Sequence, residues 1–452
     1  MRGIIGIAFF FAQLFISLSA FPAPTELARI SRTRTPEYTL ESLVLREPAN
    51  HFWFSRARVE QRIDILIPTG ADLSSPIYFM LGNEADLSPE KLVATYQLLR
   101  KSNRIIYVQA EHRGYGKSVS DEPDQSVPNY VSKRQRLADA HHVIRALHGR
   151  FTGPWMLIGW SYGGALAIEF AARYPGDVDL IVASSAPVAW PLQTVGYDNQ
   201  IKRNLGDALY GRLVQHFRNL PSQALFDDNW KARKLLLLMA AGTGQYARYQ
   251  ALLPALQNFS QQPTPAFVEK MRQIDQRLAQ GMFWNLATSL TKARLSRDEL
   301  LQGGYYFRTW RFQECDDLGV FISPDGPESI FPALGEYKQE CAAIFNINLS
   351  ERWRPWMPGK WIDRLSVPMI YVGAGKDPWA PMGLAPPPGV SPTDTSVTPT
   401  SYGKYVYVPQ GFHGPDRDDS NLAVTLLNEM LEALSEPSPI LSGDAPNAAH
   451  SP

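Results

Sequence analysis

Apolar and polar positions change rhythm several times along the chain. "QRIDILIP" (61–68) alternates with the two-residue period of a strand, and "PIYFMLGNE" (76–84) is an apolar run that ends at Gly82. "SPEKLVATYQLLRKS" (88–102) has helical spacing, with Ser88 placed as a cap and Pro89 in the first turn. "NRIIYVQAEHRGYGKS" (103–118) predicts a buried strand running into a glycine-rich loop. A long helical pattern follows from about Val131 to Arg150, then a strand in "PWMLIGWS" (154–161), a helix from Tyr162 to about Tyr174, and a strand in "DLIVASSAP" (179–187). Apolar strands that alternate with amphipathic helices predict a mostly parallel sheet covered on both faces.

That rhythm stops near Trp190. From about 190 to 360 the pattern is helical and amphipathic, as in "NWKARKLLLLMAAG" and "AFVEKMRQIDQRLAQG" (266–281), with no strand alternation. It returns at 366 with "SVPMIYVGAGKDPW" (366–379), "KYVYVPQGFHG" (404–414) and a last helix, "SNLAVTLLNEMLEAL" (420–434). One α/β domain interrupted by a helical insertion accounts for this: 45–190 as its first part, 191–360 as the insertion, 361–435 as its second part. Ahead of it, "RTRTPEYTLESLVLREP" is polar and extended, and residues 436–452 are Pro/Ser/Ala-rich and expected to be disordered. The first residues differ from all of this. Arg2 is followed by an uncharged apolar run and by the small residues Ser17, Ser19 and Ala20, the layout of a secretory signal peptide over 1–20. A membrane anchor is the alternative; the run is short for a span and no stop-transfer charges follow. The chain is therefore expected to be secreted or luminal, as in a lysosome or vacuole, with no stable membrane anchor.

Composition narrows the function. The chain of 452 residues carries 44 Lys+Arg against 44 Asp+Glu, so net charge offers no reason to expect nucleic acid or an anionic membrane as partner. Two cysteines, Cys315 and Cys341, are most simply one disulfide in an oxidising compartment, and are weak grounds for a zinc site. No metal or cofactor is expected. Asn258 and Asn348 stand in glycosylation sequons.

The chemistry concentrates at Gly159-Trp160-Ser161-Tyr162-Gly163, a G-x-S-x-G motif between a predicted strand and a predicted helix. In that context the turn is a nucleophile elbow, with Ser161 exposed at a tight bend and the helix N-terminus aimed at it. Serine needs a base, and the base needs an orienting acid, in the chain order Ser, acid, His. His413, in "PQGFHGPD", and Asp377, in "GAGKDPW", each follow a predicted strand and occupy those positions; Asp363, Asp416 and Asp418 are rivals for the acid. The backbone N–H of Tyr162 and that of Gly82 or Asn83 are the expected oxyanion donors. Glu84 then lies near the site, either as a structural residue or as a binder of substrate, and Trp160 beside the serine is a candidate substrate contact.

Taken together these motifs resemble the serine peptidase family of lysosomal Pro-Xaa carboxypeptidase and the lysosomal dipeptidyl peptidase that cleaves after proline. "NHF" (50–52), "EQR" (60–62), "LGNE" (81–84), "EHRGYGKS" (111–118), "WSYGGALA", "ASSAPV" (183–188), "TWRFQECDDLGVF" (309–321) and "GAGKDPW" carry the resemblance in order, over about 45–435. Trp160 stands where that family usually has glycine, and Asn50 where it has aspartate. The resemblance implies an α/β-hydrolase fold with a helical cap inserted before the last strands. It also implies exopeptidase action on peptides at prolyl bonds, with Ser161, Asp377 and His413 as the triad. The same triad would also serve an esterase or lipase, because fold does not fix substrate. A non-enzymatic binding protein on the same scaffold is a third reading, against which the intact triad stands. Which end of a peptide is released, and the oligomeric state, are not legible.

Overall fold

The computed structural model describes residues 26–435, except for Asn83, Ala85, 220–224, 226, 258–289, 291, 293, 303–304, 325–327 and 350–354. The leader at 1–20, the helical stretch expected at 266–281, Asn258 and the tail at 436–452 lie outside the described residues. No helix among the described residues is long and apolar enough to cross a membrane.

Ten strands form one sheet: β1 (Glu26–Arg34), β2 (Tyr38–Pro48), β3 (Arg58–Pro68), β4 (Ile77–Leu81), β5 (Ile106–Ala110), β6 (Trp155–Trp160), β7 (Leu180–Ser184), β8 (Met369–Ala374), β9 (Ser396–Thr400) and β10 (Gly403–Val408). Their order is β1-β2-β3-β5-β4-β6-β7-β8-β10-β9. From β5 to β10 every neighbouring pair is parallel; β1, β2, β3 and β9 add antiparallel edges. The helices that cross between parallel strands are α1 (Pro89–Leu98), α2 (Lys133–His148) and α3 (Tyr162–Arg173), with a last helix at Ser420–Ser435. This arrangement is the α/β-hydrolase fold, a parallel sheet with helices on both faces and a strand–elbow–helix turn at β6–α3.

The continuous apolar runs are explained by burial of both sheet faces. On one face Phe79, Val108, Leu157 and Ile181 pack with Val143, Ile144 and Leu147 of α2 and with Leu166 and Phe170 of α3. On the other, the intervening residues Met80, Tyr107, Ile158 and Val182 pack with Leu92 and Tyr96 of α1 and with Leu422, Leu426 and Met430 of the last helix. Successive side chains of one strand point to opposite faces, so a strand covered on both sides must be apolar throughout. Ser132 caps α2 by accepting from Gln135 N at 3.3 Å; Ser88 precedes α1 with Pro89 in its first turn but makes no side-chain cap bond.

Three strands were not read from the pattern. The polar stretch before residue 48 is extended, as expected, but it pairs as β1 and β2. "SVTPT" forms β9, an edge strand, which tolerates its proline. Between β7 and β8 the described residues form helices and turns and add no strand to the sheet. Here α4 (Val195–Leu205), α5 (Asp207–Asn219) and α6 (Asp228–Gln245) share a separate core of Ile201, Leu209, Leu213, Leu236 and Met239. Farther along, Cys315 and Cys341 are joined, with Cα atoms 5.6 Å apart, tying the end of the helix Tyr306–Gln313 to the helix Leu334–Phe345.

Candidate active site

β6 ends at Trp160 and α3 begins at Tyr162, so Ser161 alone makes the turn. It does so at φ 54° and ψ −124°, a left-handed backbone that side chains rarely adopt. Glycines at 159 and 164 are what allow it. A Cβ on Gly159 would lie 2.1 Å from the carbonyl oxygen of Gly163, and one on Gly164 would lie 2.8 Å from the Ala186 Cβ. Ser161 N–H donates to the Ser184 carbonyl at 2.9 Å, which holds the elbow to β7. The Ser161 side chain makes no cap bond to α3, so the first-turn N–H groups, Tyr162 among them, keep the positive end of the helix open toward the serine.

Asp377 and His413 meet beyond the carboxyl ends of β8 and β10. His413 Nδ1 lies 2.8 Å from Asp377 Oδ1, with side chains only 4% and 2% exposed. Trp379 N–H donates to the same Asp377 oxygen at 2.9 Å, and Lys376 N–H donates to the Gly411 carbonyl at 2.9 Å, so the two loops brace each other. His413 Nε2 is buried and has no hydrogen-bond partner. The next residue, Gly414, donates to Ser185 Oγ at 2.9 Å, directly after the Ser184 that holds the elbow. No hydrogen bond joins Ser161 Oγ to His413 Nε2 in this structure; such bonds are often long without substrate and tighten when it binds.

The rival acids have other partners. Asp416 is buried, accepts from Trp160 Nε1 at 2.7 Å and from Ser184 Oγ at 2.5 Å, and is pushed up by burial. Asp418 faces Arg248 at 3.5 Å, and Asp363 is exposed on a 3-10 turn. Trp160 is thereby accounted for. Its indole is anchored by Asp416, with Arg417 5.6 Å from its ring centre, while it also lines the neighbouring cavity.

One expected donor is corrected. Gly82 N–H already donates to the Ala110 carbonyl at 3.1 Å, so Gly82 ties its loop to the sheet and has no N–H to spare for an oxyanion. A Cβ there would sit 2.5 Å from that same carbonyl, which is why the position is glycine. Asn83, the other expected donor, lies outside the described residues. Glu84 is partly exposed as a residue, but its Oε2 is enclosed without a partner, and burial raises its carboxyl above the ordinary value. It lines a cavity of about 1320 Å³ together with Trp160, Tyr246, Arg248 and Arg417.

Residues that sequence reasoning missed come from the helical segment. The Gln245 carbonyl accepts from His413 N–H at 3.0 Å, and the Tyr246 ring packs edge-on to the imidazole with centroids 5.7 Å apart. Some 170 residues separate them from His413 in sequence, and nothing local marks them. Gln313 is a second case. Its amide donates to Tyr162 Oη at 3.0 Å and accepts from Tyr115 Oη at 2.5 Å, linking "TWRFQ", "EHRGYG" and the elbow in one buried network.

Comparison with known proteins fits this geometry. Residues 69–211 match the family model described as Serine carboxypeptidase S28, a span that includes the elbow and ends before Asp377 and His413. The Thymus-specific serine protease of Mus musculus is 24% identical over 381 residues, covering 72% of this chain and 73% of its own. The Lysosomal Pro-X carboxypeptidase of Mus musculus is 31% identical over 160 residues, 33% of this chain and 32% of its own. Its counterpart from Bos taurus is 22% identical over 463 aligned positions, 88% of each chain. These likenesses make the chain a serine-type peptidase that resembles the serine carboxypeptidase S28 family.

Proposed function

We propose that the chain is a serine exopeptidase that cleaves short peptides at prolyl bonds through an acyl-enzyme. The observation that carries this reading is His413, whose Nδ1 is held by Asp377 while its buried Nε2 is unpartnered, and whose neighbour Gly414 bonds Ser185 next to the Ser184 that holds the elbow. In this mechanism Ser161 Oγ attacks the scissile carbonyl as His413 Nε2 takes its proton. The Tyr162 N–H donates to the oxyanion, and the Asp377 carboxylate holds the imidazole in orientation and balances its charge. The imidazolium then returns the proton to the departing amine, and water cleaves the ester by the reverse path. The helical segment at 191–360 reaches His413 through Gln245 and Tyr246, which supports its reading as a cap that admits only a chain end.

The names of the relatives support release from the carboxyl end at proline, and support a lysosomal or secreted location in keeping with the leader. Arg417 and Arg248 in the cavity are of the right charge for a terminal carboxylate, and burial, which raises the Glu84 carboxyl above its ordinary value, weakens the charge that would repel it. A second reading rests on Glu84 itself: ionised, its unpartnered oxygen would hold a free amine, so release from the amino end would follow. The purified chain, with Ser161→Ala alongside, is assayed on amino-blocked peptides ending in Pro-Xaa and on free-amine Xaa-Pro chromogenic dipeptides. Turnover of the first set, lost by about 10⁴-fold or more in Ser161→Ala, is the expected result. Turnover of only the second set selects the amino-end reading. No turnover of either above the variant, with hydrolysis of short acyl esters instead, overturns the prolyl reading in favour of an esterase.

A further inference from the structure

A second constellation, built on elements that carry none of Ser161, Asp377 or His413, has no part in that chemistry. Glu47 is near the end of β2, His51 lies in the loop that follows, and His142 sits on α2. We propose that Glu47, His51 and His142 form a binding site for a divalent transition-metal ion of the zinc class. One donor atom from each residue lies within 4.8 Å of the others. Two donor atoms are enclosed with nothing to bond: Glu47 Oε1, on a side chain that is fully buried, and His51 Nδ1, on a side chain only 3% exposed. A buried carboxylate oxygen and a buried imidazole nitrogen left bare are costly unless something binds them.

The surroundings favour a metal over a proton donor. His51 Nε2 lies 2.7 Å from Asp139 Oδ1; in the tautomer that donates the Nε2 proton to Asp139, Nδ1 is the bare lone pair. A ligating histidine whose other nitrogen is held by a carboxylate is the usual support around protein-bound zinc. Arg113 is the nearby cation and stands 2.8 Å from His51 Nε2. It is engaged with Asp139, through Nε to Oδ2 at 2.7 Å and through Nη2 to Oδ1, so the pair is close to neutral and Glu47 remains the local anion. Two imidazole nitrogens and one carboxylate oxygen match a borderline divalent ion rather than Mg²⁺ or Ca²⁺, which prefer oxygen. His142, with its side chain 30% exposed, opens the site to solvent for entry and for a water as fourth ligand. It now bonds Glu47 Oε2 through Nδ1 at 2.9 Å, with its ring 4.7 Å from that of His51. Tetrahedral zinc at about 2.0–2.1 Å from each donor needs donors about 3.4 Å apart, so binding would draw His142 inward and exchange its bond to Glu47 for the metal. The ion would then clamp the end of β2 to α2.

The test uses untagged full-length protein stripped with a chelator. Titration with Zn²⁺ by calorimetry should show one equivalent bound, Co²⁺ should give the visible absorption of a four-coordinate site, and Zn²⁺ should raise Tm by mass action. His142→Asn, at a half-exposed position, should leave the metal-free Tm and circular dichroism near those of the wild type. It should weaken Zn²⁺ affinity more than about tenfold and abolish the Tm rise. No stoichiometric uptake by the wild type, or uptake unchanged in His142→Asn, overturns the proposal.

Discussion

The elbow at 159–164 and the pair Asp377–His413 hold their geometry by different means. The elbow is local. Six consecutive residues leave β6 and enter α3, and the only way through is a serine at φ 54° with glycine at 159, where any Cβ would strike the next turn. The histidine–aspartate pair is remote. Asp377 and His413 lie three and five residues beyond Ala374 and Val408, which are partners in the parallel pairing of β8 with β10. That pairing, the brace from Lys376 to Gly411 and the Gln245 carbonyl together set one hydrogen bond. Short-range sterics thus build the proposed nucleophile, and long-range packing builds its base. Damage to the glycine frame of the elbow should show as lost stability, and damage to the remote pair as lost rate.

The largest effect is expected at the remote pair. Asp377→Asn should lower kcat by about 10⁴-fold with Tm little changed, because the histidine loses its orienting carboxylate while the fold keeps its packing. Asp416→Asn is the control: steady-state kinetics should show a loss of less than about tenfold, with a change in Trp160 fluorescence from the weakened indole bond. Equal losses in the two variants would remove the distinction between them. The local half is broken at Gly159→Ala, where the added carbon meets backbone at 2.1 Å; urea unfolding should show a loss of about 3 kcal/mol or more. Opening the Cys315–Cys341 bridge with a double Cys→Ala change should cost about 3 kcal/mol in the same assay, by freeing a loop with a sequence separation of 26.

The smallest effect concerns Glu84. Burial raises its carboxyl above the ordinary value of 4.5, so the folded chain keeps that proton to higher pH than the unfolded chain does. The stability this lends is complete below the unfolded value and is lost as pH rises through the folded one. Thermal melts of Glu84→Gln should therefore fall less steeply than the wild type as pH rises above about 4.5. If release is from the carboxyl end, KM for the amino-blocked substrates should rise with pH in the wild type and stay flat in the variant.

Legibility in the sequence followed the same division. The parallel core was readable because burial on both faces demands unbroken apolar runs such as "IYFML" and "WMLIG". Ser161 was readable because G-x-S-x-G is the sterics of the turn written in residues. Asp377 and His413 were readable only as candidates, by chain order and by their places after strands; Asp363 precedes His413 as Asp377 does, and Asp416 stands three residues past it. Gly82 was misassigned because a glycine in a loop after a strand suits an oxyanion donor and a sheet anchor equally well. Gln245, Tyr246 and Gln313 carried no local sign, and β9 was hidden by a proline that an edge strand accepts.

The sequence by itself determined the sheet's core, the elbow and its serine, and the short set of residues from which a base and an acid could be drawn, since each depends on neighbours a few positions away. Tertiary structure decided the rest. It gave Asp377 to His413 and Asp416 to Trp160, and it took the Gly82 N–H for the sheet. It also set the Glu47, His51 and His142 donors within reach of one another. Which carboxylate a side chain meets is a matter of strand pairing and packing over tens to hundreds of residues, and a one-dimensional pattern holds no record of that distance.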